Sequence, residues 1–148
     1  MLRRADGSSF CQGRAAYLDL LPGAAAKRDA KVYVRVAIGT PEFKTTAMLD
    51  TGSSYSVLDA DTAERLEAFT EAGAPALDLA TRHGVLSGRL VRRALWLLAE
   101  EGQSLEVEAT FWVSPAWRFG HFLGYAGFLQ SIRFALDPAA NQFYFGTL

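Results

Sequence analysis

One tetrad in this chain has the residue types and spacing for chemistry: Asp50-Thr51-Gly52-Ser53. An apolar run, Thr46-Ala47-Met48-Leu49, leads straight into the carboxylate, and a glycine flanked by hydroxyl residues follows two positions later. Glycine lets the backbone turn tightly and bring N–H groups up to a carboxylate. Those N–H groups, with the Ser53 hydroxyl, can hold the carboxylate in one orientation and keep it ionised. An Asp-Thr-Gly string can equally be a loop that caps a turn. The flanks separate the two readings, because a second apolar stretch, Tyr55-Ser56-Val57-Leu58, follows at once. The carboxylate therefore sits between two strands.

Other chemistries find little support. His83 and His121 are the only histidines, far apart and outside any His-Glu-x-x-His pattern, so neither a metal nor another cofactor is expected. Cys11 is the only cysteine, which excludes an intrachain disulfide and a multi-cysteine metal site. Ser53 and Ser54 stand in no Gly-x-Ser-x-Gly elbow, and Gly39-Thr40-Pro41 is too poor in glycine to cradle phosphate. The chain carries 15 Lys and Arg against 16 Asp and Glu, a net charge of −1. Its local basic clusters, Arg3-Arg4 and Arg89 to Arg93, are short, so no nucleic-acid partner is expected. The start, MLRRADGSSF, lacks an apolar stretch of the secretory kind, and the run from Ala94 to Ala99 is too short to span a bilayer. No membrane span and a cytoplasmic location are the resulting expectations.

The elements that must position Asp50 are mostly strands. At 148 residues the chain is of single-domain size, able to bury roughly two-thirds of its unfolded surface. Residues 1–30 read as an N-terminal arm or edge strand, with a candidate strand within Phe10 to Leu21, around Ala15 to Leu21, and a break at Pro22-Gly23. Residues 31–148 read as the folded domain. Val32, Val34, Val36 and Ile38 alternate with Tyr33, Arg35 and Ala37, the period of a strand. A turn at Gly39 to Glu42 and a strand from Phe43 to Leu49 make a hairpin that ends at Asp50. A helix is expected over Thr62 to Phe69, capped by Asp59 or Asp61. Strands follow over Ala76 to Thr81 and Leu86 to Ala99, around a His83-Gly84 turn. Leu105 to Val113 alternates, with Leu105, Val107, Ala109, Phe111 and Val113 inward. A short helix over Ala126 to Gln130 and strands over Ser131 to Leu136 and Gln142 to Gly146 complete an all-β plan. The aromatics Trp96, Trp112, Trp117, Phe111, Phe119 and Phe122 read first as core or interface, and second as walls of an apolar pocket.

At Ile38-Gly39-Thr40-Pro41 followed by Met48 to Ser54, the chain resembles the aspartic protease superfamily. It has one Asp-Thr-Gly motif where pepsin-type chains have two, so the resemblance is to the single-domain, retropepsin-like members. Thr81 to Leu90 is similar to their flap hairpin, Phe122-Leu123-Gly124 to the second signature behind the catalytic loop, and Arg133 to Gly146 to the closing strand pair of cellular members. The resemblance implies a closed acid-protease-like barrel with a flap hairpin and one or two short helices. It implies Asp50 as the catalytic acid, with Thr51 locking two loops across a two-fold axis, Gly52 giving backbone contact and Ser53 supporting the outer carboxylate oxygen. His83, Gly84 and Val85 would cover an extended polypeptide substrate, and Leu123 and Gly124 would back the loop. Tyr125 stands where retroviral relatives often carry an arginine, and no tyrosine stands at the flap tip. The implied partner is a second copy of the chain, and the implied activity is peptide-bond hydrolysis. A peptide-binding or assembly role without catalysis is the alternative.

Overall fold

The computed structural model describes residues 1–19 and 31–148. The elements run β1 (Gly13–Ala16), β2 (Val32–Ile38), β3 (Lys44–Leu49), β4 (Ser56–Val57), α1 (Ala60–Arg65), β5 (Ala76–Thr81), β6 (Gly84–Leu97), β7 (Glu101–Gly102), β8 (Leu105–Val113), β9 (His121–Leu123), a 3-10 turn at Leu129–Ser131, β10 (Ile132–Asp137) and β11 (Gln142–Thr147). The fold is mostly β with one short α-helix, as the alternating strand patterns imply.

Seven strands form one sheet in the order β2-β3-β9-β4-β8-β6-β5, and β2 also pairs with β6. That extra pairing, Val36 to Leu97 through Ile38 to Leu95, closes the sheet into a barrel and leaves β5 outside it as one arm of a hairpin. Closure explains the burial of β2. An open hairpin would bury only one face, yet Tyr33 and Ala37 are buried as well as Val34, Val36 and Ile38. Inside lie Val36, Ile38, Leu95, Leu97, Phe111 and Leu123, none more than 1% exposed. Burial of such side chains contributes on the order of 1.5–3 kcal/mol each.

A second sheet has the order β10-β11-β1-β7. Within it Gly13 pairs with Phe145 on one side and Gly102 on the other. A Cβ on Gly13 would lie 2.3 Å from the Gln103 carbonyl oxygen, so only glycine lets this strand insert. The N-terminal strand thus lies within the expected window of Phe10 to Leu21, ahead of its expected centre around Ala15 to Leu21. Leu18 follows it with a bridge to Tyr33, and Leu20 and Leu21 lie outside the described residues, as do Pro22 and Gly23.

The helix also differs from its expected span of Thr62 to Phe69. Asp59 is the cap, its side chain accepting from the Asp61 N–H. The helix then stops at Arg65, because Glu67 takes a left-handed φ of 53°. The Ala68 N–H donates to the Ala63 carbonyl and the Glu67 N–H to the Glu64 carbonyl. This pair of bonds is the Schellman closure of a helix end. Arg93 holds the stop in place, with Nη2 on the Leu66 carbonyl at 3.1 Å and Nη1 on Glu71. A tertiary clamp from β6 therefore shortens what the residue pattern alone would extend. The helix expected over Ala126 to Gln130 is reduced to the 3-10 turn at Leu129–Ser131, displaced by Gly127 at φ 77°.

Candidate active site

Asp50 follows the last residue of β3, and its loop returns as β4. Between those two strands lies β9, parallel to β3 and antiparallel to β4. Leu49 is paired with Leu123, and Val57 with Phe122. The carboxylate loop therefore leaves the sheet on one side of β9 and re-enters on the other. Three backbone bonds sew the loop to the chain beyond β9: Asp50 N–H to the Leu123 carbonyl at 3.0 Å, Tyr125 N–H to Ser53 at 2.9 Å and Ala126 N–H to Ser54 at 2.8 Å.

Gly124 sits where the two segments touch. A Cβ there would lie 2.3 Å from both the carbonyl carbon and the oxygen of Tyr55, and 2.8 Å from the Ser56 nitrogen. Real Cβ atoms essentially never come so close to backbone, so the position requires glycine. The Gly124 N–H donates to Ser56 Oγ at 3.0 Å, and Ser56 is fully buried. Its hydroxyl satisfies a buried donor that would otherwise have no partner.

In the loop itself, the Gly52 N–H donates to Asp50 Oδ1 at 3.0 Å. Ser53 Oγ donates to the Tyr55 carbonyl at 2.7 Å and so braces the loop instead of meeting the carboxylate. Asp50 is half-buried, while Thr51, Gly52, Ser54 and Tyr125 are exposed around it.

Asp50 borders a cavity of about 440 Å³, and it is the sole carboxylate among the described residues lining it. The far wall is apolar: Val57, Leu79, Trp112, Trp117 and Phe122. Val57, Trp112 and Trp117 form a small core cluster of their own, separate from the barrel interior. Trp112 Nε1 donates to the Leu77 carbonyl and Trp117 Nε1 to that of Gly120, both at 2.8 Å. These indoles are thus core and cleft wall at once, because the barrel's outer surface on this side is covered by the β5–β6 hairpin. Gly88 on β6 lets the hairpin come down, since a Cβ there would lie 2.4 Å from the Trp112 ring.

The hairpin turn is Arg82-His83, with Thr81 paired to Gly84. Gly84 has φ 101°, a left-handed value that suits glycine, whereas neither Arg82 nor His83 has a positive φ. Thr81 Oγ1 accepts from the His83 N–H at 3.0 Å and donates to the Gly84 carbonyl at 2.8 Å. The His83 ring lies flat on Phe119, 3.8 Å between centroids and 6° between planes. Trp117 meets Phe119 edge-on at 5.1 Å. The hairpin tip therefore rests on the loop that precedes β9. The cavity takes its hairpin lining from Leu79, Ala80, Thr81 and Arg82. His83, Gly84 and Val85 do not line it in the single chain, and Val85 is 70% exposed. Arg82 was not singled out by sequence reasoning. Its one signal was its place beside His83 at a turn ending in glycine.

His121, on β9, accepts the Asp59 N–H through Nδ1 at 3.1 Å and lies 3.3 Å from Thr62 Oγ1 through Nε2. Burial lowers its pKa below the usual histidine value, opposed by the nearby Asp59 charge. It ties β9 to the start of α1. No group of three or more metal-ligating side chains occurs among the described residues.

No protein-family model and no curated protein matches the chain. Among solved structures, the chain is similar to a retropepsin-like aspartic protease from Rickettsia conorii. That alignment has a TM-score of 0.52 and 18% identity, and covers 92% of this chain and 94% of that one. The Simian Foamy Virus (mac) protease aligns at a TM-score of 0.39 and 21% identity, over 64% of this chain and 89% of that one. The chain has the retropepsin-like aspartic-protease fold. Among the described residues, no helix is long and apolar enough to cross a membrane.

Proposed function

We propose that the protein is an aspartic endopeptidase whose site is completed by a second copy of the chain. One observation carries this reading: among the described residues a single carboxylate, Asp50, borders a cavity otherwise walled by neutral, apolar and cationic groups. Hydrolysis of a peptide by water, without metal or covalent intermediate, needs both a base and an acid. Two carboxylates about 3 Å apart can serve as both, since they share one proton. A C2 axis beside the exposed Thr51 and Gly52 would bring Asp50 to its own copy.

In the resulting pair, the ionised Asp50 takes a proton from water as the oxygen attacks the scissile carbonyl. The protonated Asp50 donates to the carbonyl oxygen. The tetrahedral diol then collapses as a proton passes to the leaving nitrogen, breaking the C–N bond. The two carboxyls titrate as one coupled system. Thr51 would bond across the axis, Gly52 N–H holds Oδ1, and Leu123 and Gly124 back the loop. The β5–β6 hairpin acts as the flap, with His83, Gly84 and Val85 at its tip and returning strand. It offers the free edge of β5 to an extended polypeptide, in the manner of strand addition.

The test is cleavage of a proteome-derived peptide mixture from about pH 3 to 7, read by mass spectrometry, for the wild type and Asp50→Asn at several protein concentrations. Cleavage should be lost in the variant and should rise faster than linearly with protein at low concentration. Cleavage that survives the substitution refutes the mechanism. Peptide retention that survives it, with no cleavage by either protein, assigns the cleft to binding or assembly.

A further inference from the structure

A second, smaller cavity of about 220 Å³ adjoins the cleft, sharing Lys31, Met48, Arg82 and Phe122 with it. Its chemistry differs from that of the first. No carboxylate is among the described residues lining it, whereas Lys31, Arg82 and the hydroxyl residues Tyr33 and Thr46 are. Asp50 borders the larger cavity alone. The two cations thus border both spaces, and among the described residues the smaller one differs in lacking the Asp50 carboxylate and in adding two hydroxyl residues.

Arg82 stands on that wall. Its Nε donates to His83 Nε2 at 3.2 Å. This uses one of five guanidinium N–H groups and leaves the paired Nη donors, the fork that fits a carboxylate. Among the described residues Arg82 has no carboxylate partner, whereas Arg14, Arg35, Arg92, Arg93 and Arg118 each have one. Its backbone is fixed as well. The neighbouring His83 is stacked on Phe119 and bonded to Thr81, so the turn that carries Arg82 is held against the cavity by contacts on both sides. A long cationic side chain in a braced turn, bordering a smaller cavity with no acid among its described lining residues, is built to meet an anion from elsewhere.

We propose that Arg82 is a specificity-determining residue, and that the smaller cavity takes an acidic side chain of the polypeptide lying in the cleft. This rests on the reading that the cleft takes extended polypeptide. Successive side chains of an extended chain point to opposite sides, at about 3.3 Å per residue. An apolar side chain against Trp112, Trp117 and Phe122 thus leaves a nearby one free to reach the cationic space. The carboxylate would pair with the guanidinium fork of Arg82. Charge-assisted bonds of this kind discriminate by about tenfold against the neutral isostere.

The experiment separates this proposal from catalysis by using the Asp50→Asn chain, immobilised whole, as a binding matrix. Proteome-derived peptides are passed over it at low salt and pH 6, and the retained ones are sequenced by mass spectrometry. The expected result is about tenfold enrichment of Asp or Glu at a fixed distance from an apolar residue. Enrichment should fall to background in Asp50→Asn with Arg82→Gln, and turn to Lys and Arg with Arg82→Glu. It should also fade below about pH 4, where glutamate is protonated. Arg82 is exposed, so these changes leave the fold intact, as matching thermal transitions would verify. Retention without acidic enrichment, acidic enrichment unchanged by Arg82→Gln, or no retention at all overturns the assignment. Cleavage by the wild type is scored separately and can succeed while the acidic preference fails.

Discussion

The tight contact behind the Asp50 loop makes Gly124→Ala the sharpest test of how the loop is held. The added Cβ would sit 2.3 Å from the Tyr55 carbonyl carbon and oxygen and 2.8 Å from the Ser56 nitrogen. These are backbone atoms, so no side-chain rotation relieves the overlap. Ordinary contact requires at least 3.4 Å, so the two segments must part by about 1 Å. Overpacking of this kind costs about 1–3 kcal/mol. The displacement also strains the bonds on either side, from Asp50 N–H to Leu123, Tyr125 N–H to Ser53 and Gly124 N–H to Ser56 Oγ. At about 0.5–1.5 kcal/mol each, losing two of them brings the total to roughly 2–6 kcal/mol, a large share of the ~5–15 kcal/mol that holds a domain together. The assay is urea unfolding followed by tryptophan fluorescence, with Gly73→Ala as the control. Unlike Gly124, Gly73 has a positive φ, of 76°, and nothing lies within 4 Å of its would-be Cβ. That control should lose only about 1–2 kcal/mol, the cost of a left-handed alanine. If Gly124→Ala loses no more than Gly73→Ala, the loop is not held by this contact and the account of the Leu123-Gly124 element fails.

Two further outcomes are expected. Ser56→Ala leaves the buried Gly124 N–H without an acceptor and should lower stability by about 1–3 kcal/mol, with Ser56→Thr recovering part of it; equal urea midpoints for Ser56→Ala and wild type would contradict the bond. His121 has its pKa depressed by burial, so the folded state binds fewer protons there than the unfolded state. Its contribution to stability is complete above the unfolded value of about 6.5 and is lost as pH falls through the lower folded value. Thermal midpoints should therefore drop more steeply below about pH 6.5 in the wild type than in His121→Gln, and parallel profiles would refute the assignment.

Much of the barrel was legible because its determinants are local. Period-2 alternation marks β2 and β8 wherever they pack, and turn residues mark the joins between hairpins. The Asp50 loop was legible for the same reason: an aspartate after an apolar strand, with glycine two residues on, is a contiguous pattern. The helix was misjudged at its end because what stops it lies elsewhere. Arg93, on β6, clamps the Leu66 carbonyl and Glu71, and no residue inside the helix signals that. The N-terminal strand fell within its expected window of Phe10 to Leu21, but its centre was placed late because its partners, β11 and β7, are roughly 90 to 130 residues away in the chain and its fit depends on Gly13.

From the sequence alone follow the strand content and the single Asp-Thr-Gly motif; the proposed mechanism then requires a second carboxylate from outside that motif. These depend on residue types at neighbouring positions. Only the tertiary structure decided what surrounds Asp50. The parallel pairing of β3 with β9 puts Gly124 against Tyr55. The closing pair of β2 with β6 holds the hairpin over the cleft, making Trp112 and Trp117 walls as well as core. The stacking of His83 on Phe119 fixes the turn that carries Arg82 between two adjoining cavities. Each of these joins residues distant in the chain, and their spacing is set by sheet closure and side-chain packing, which no local pattern encodes.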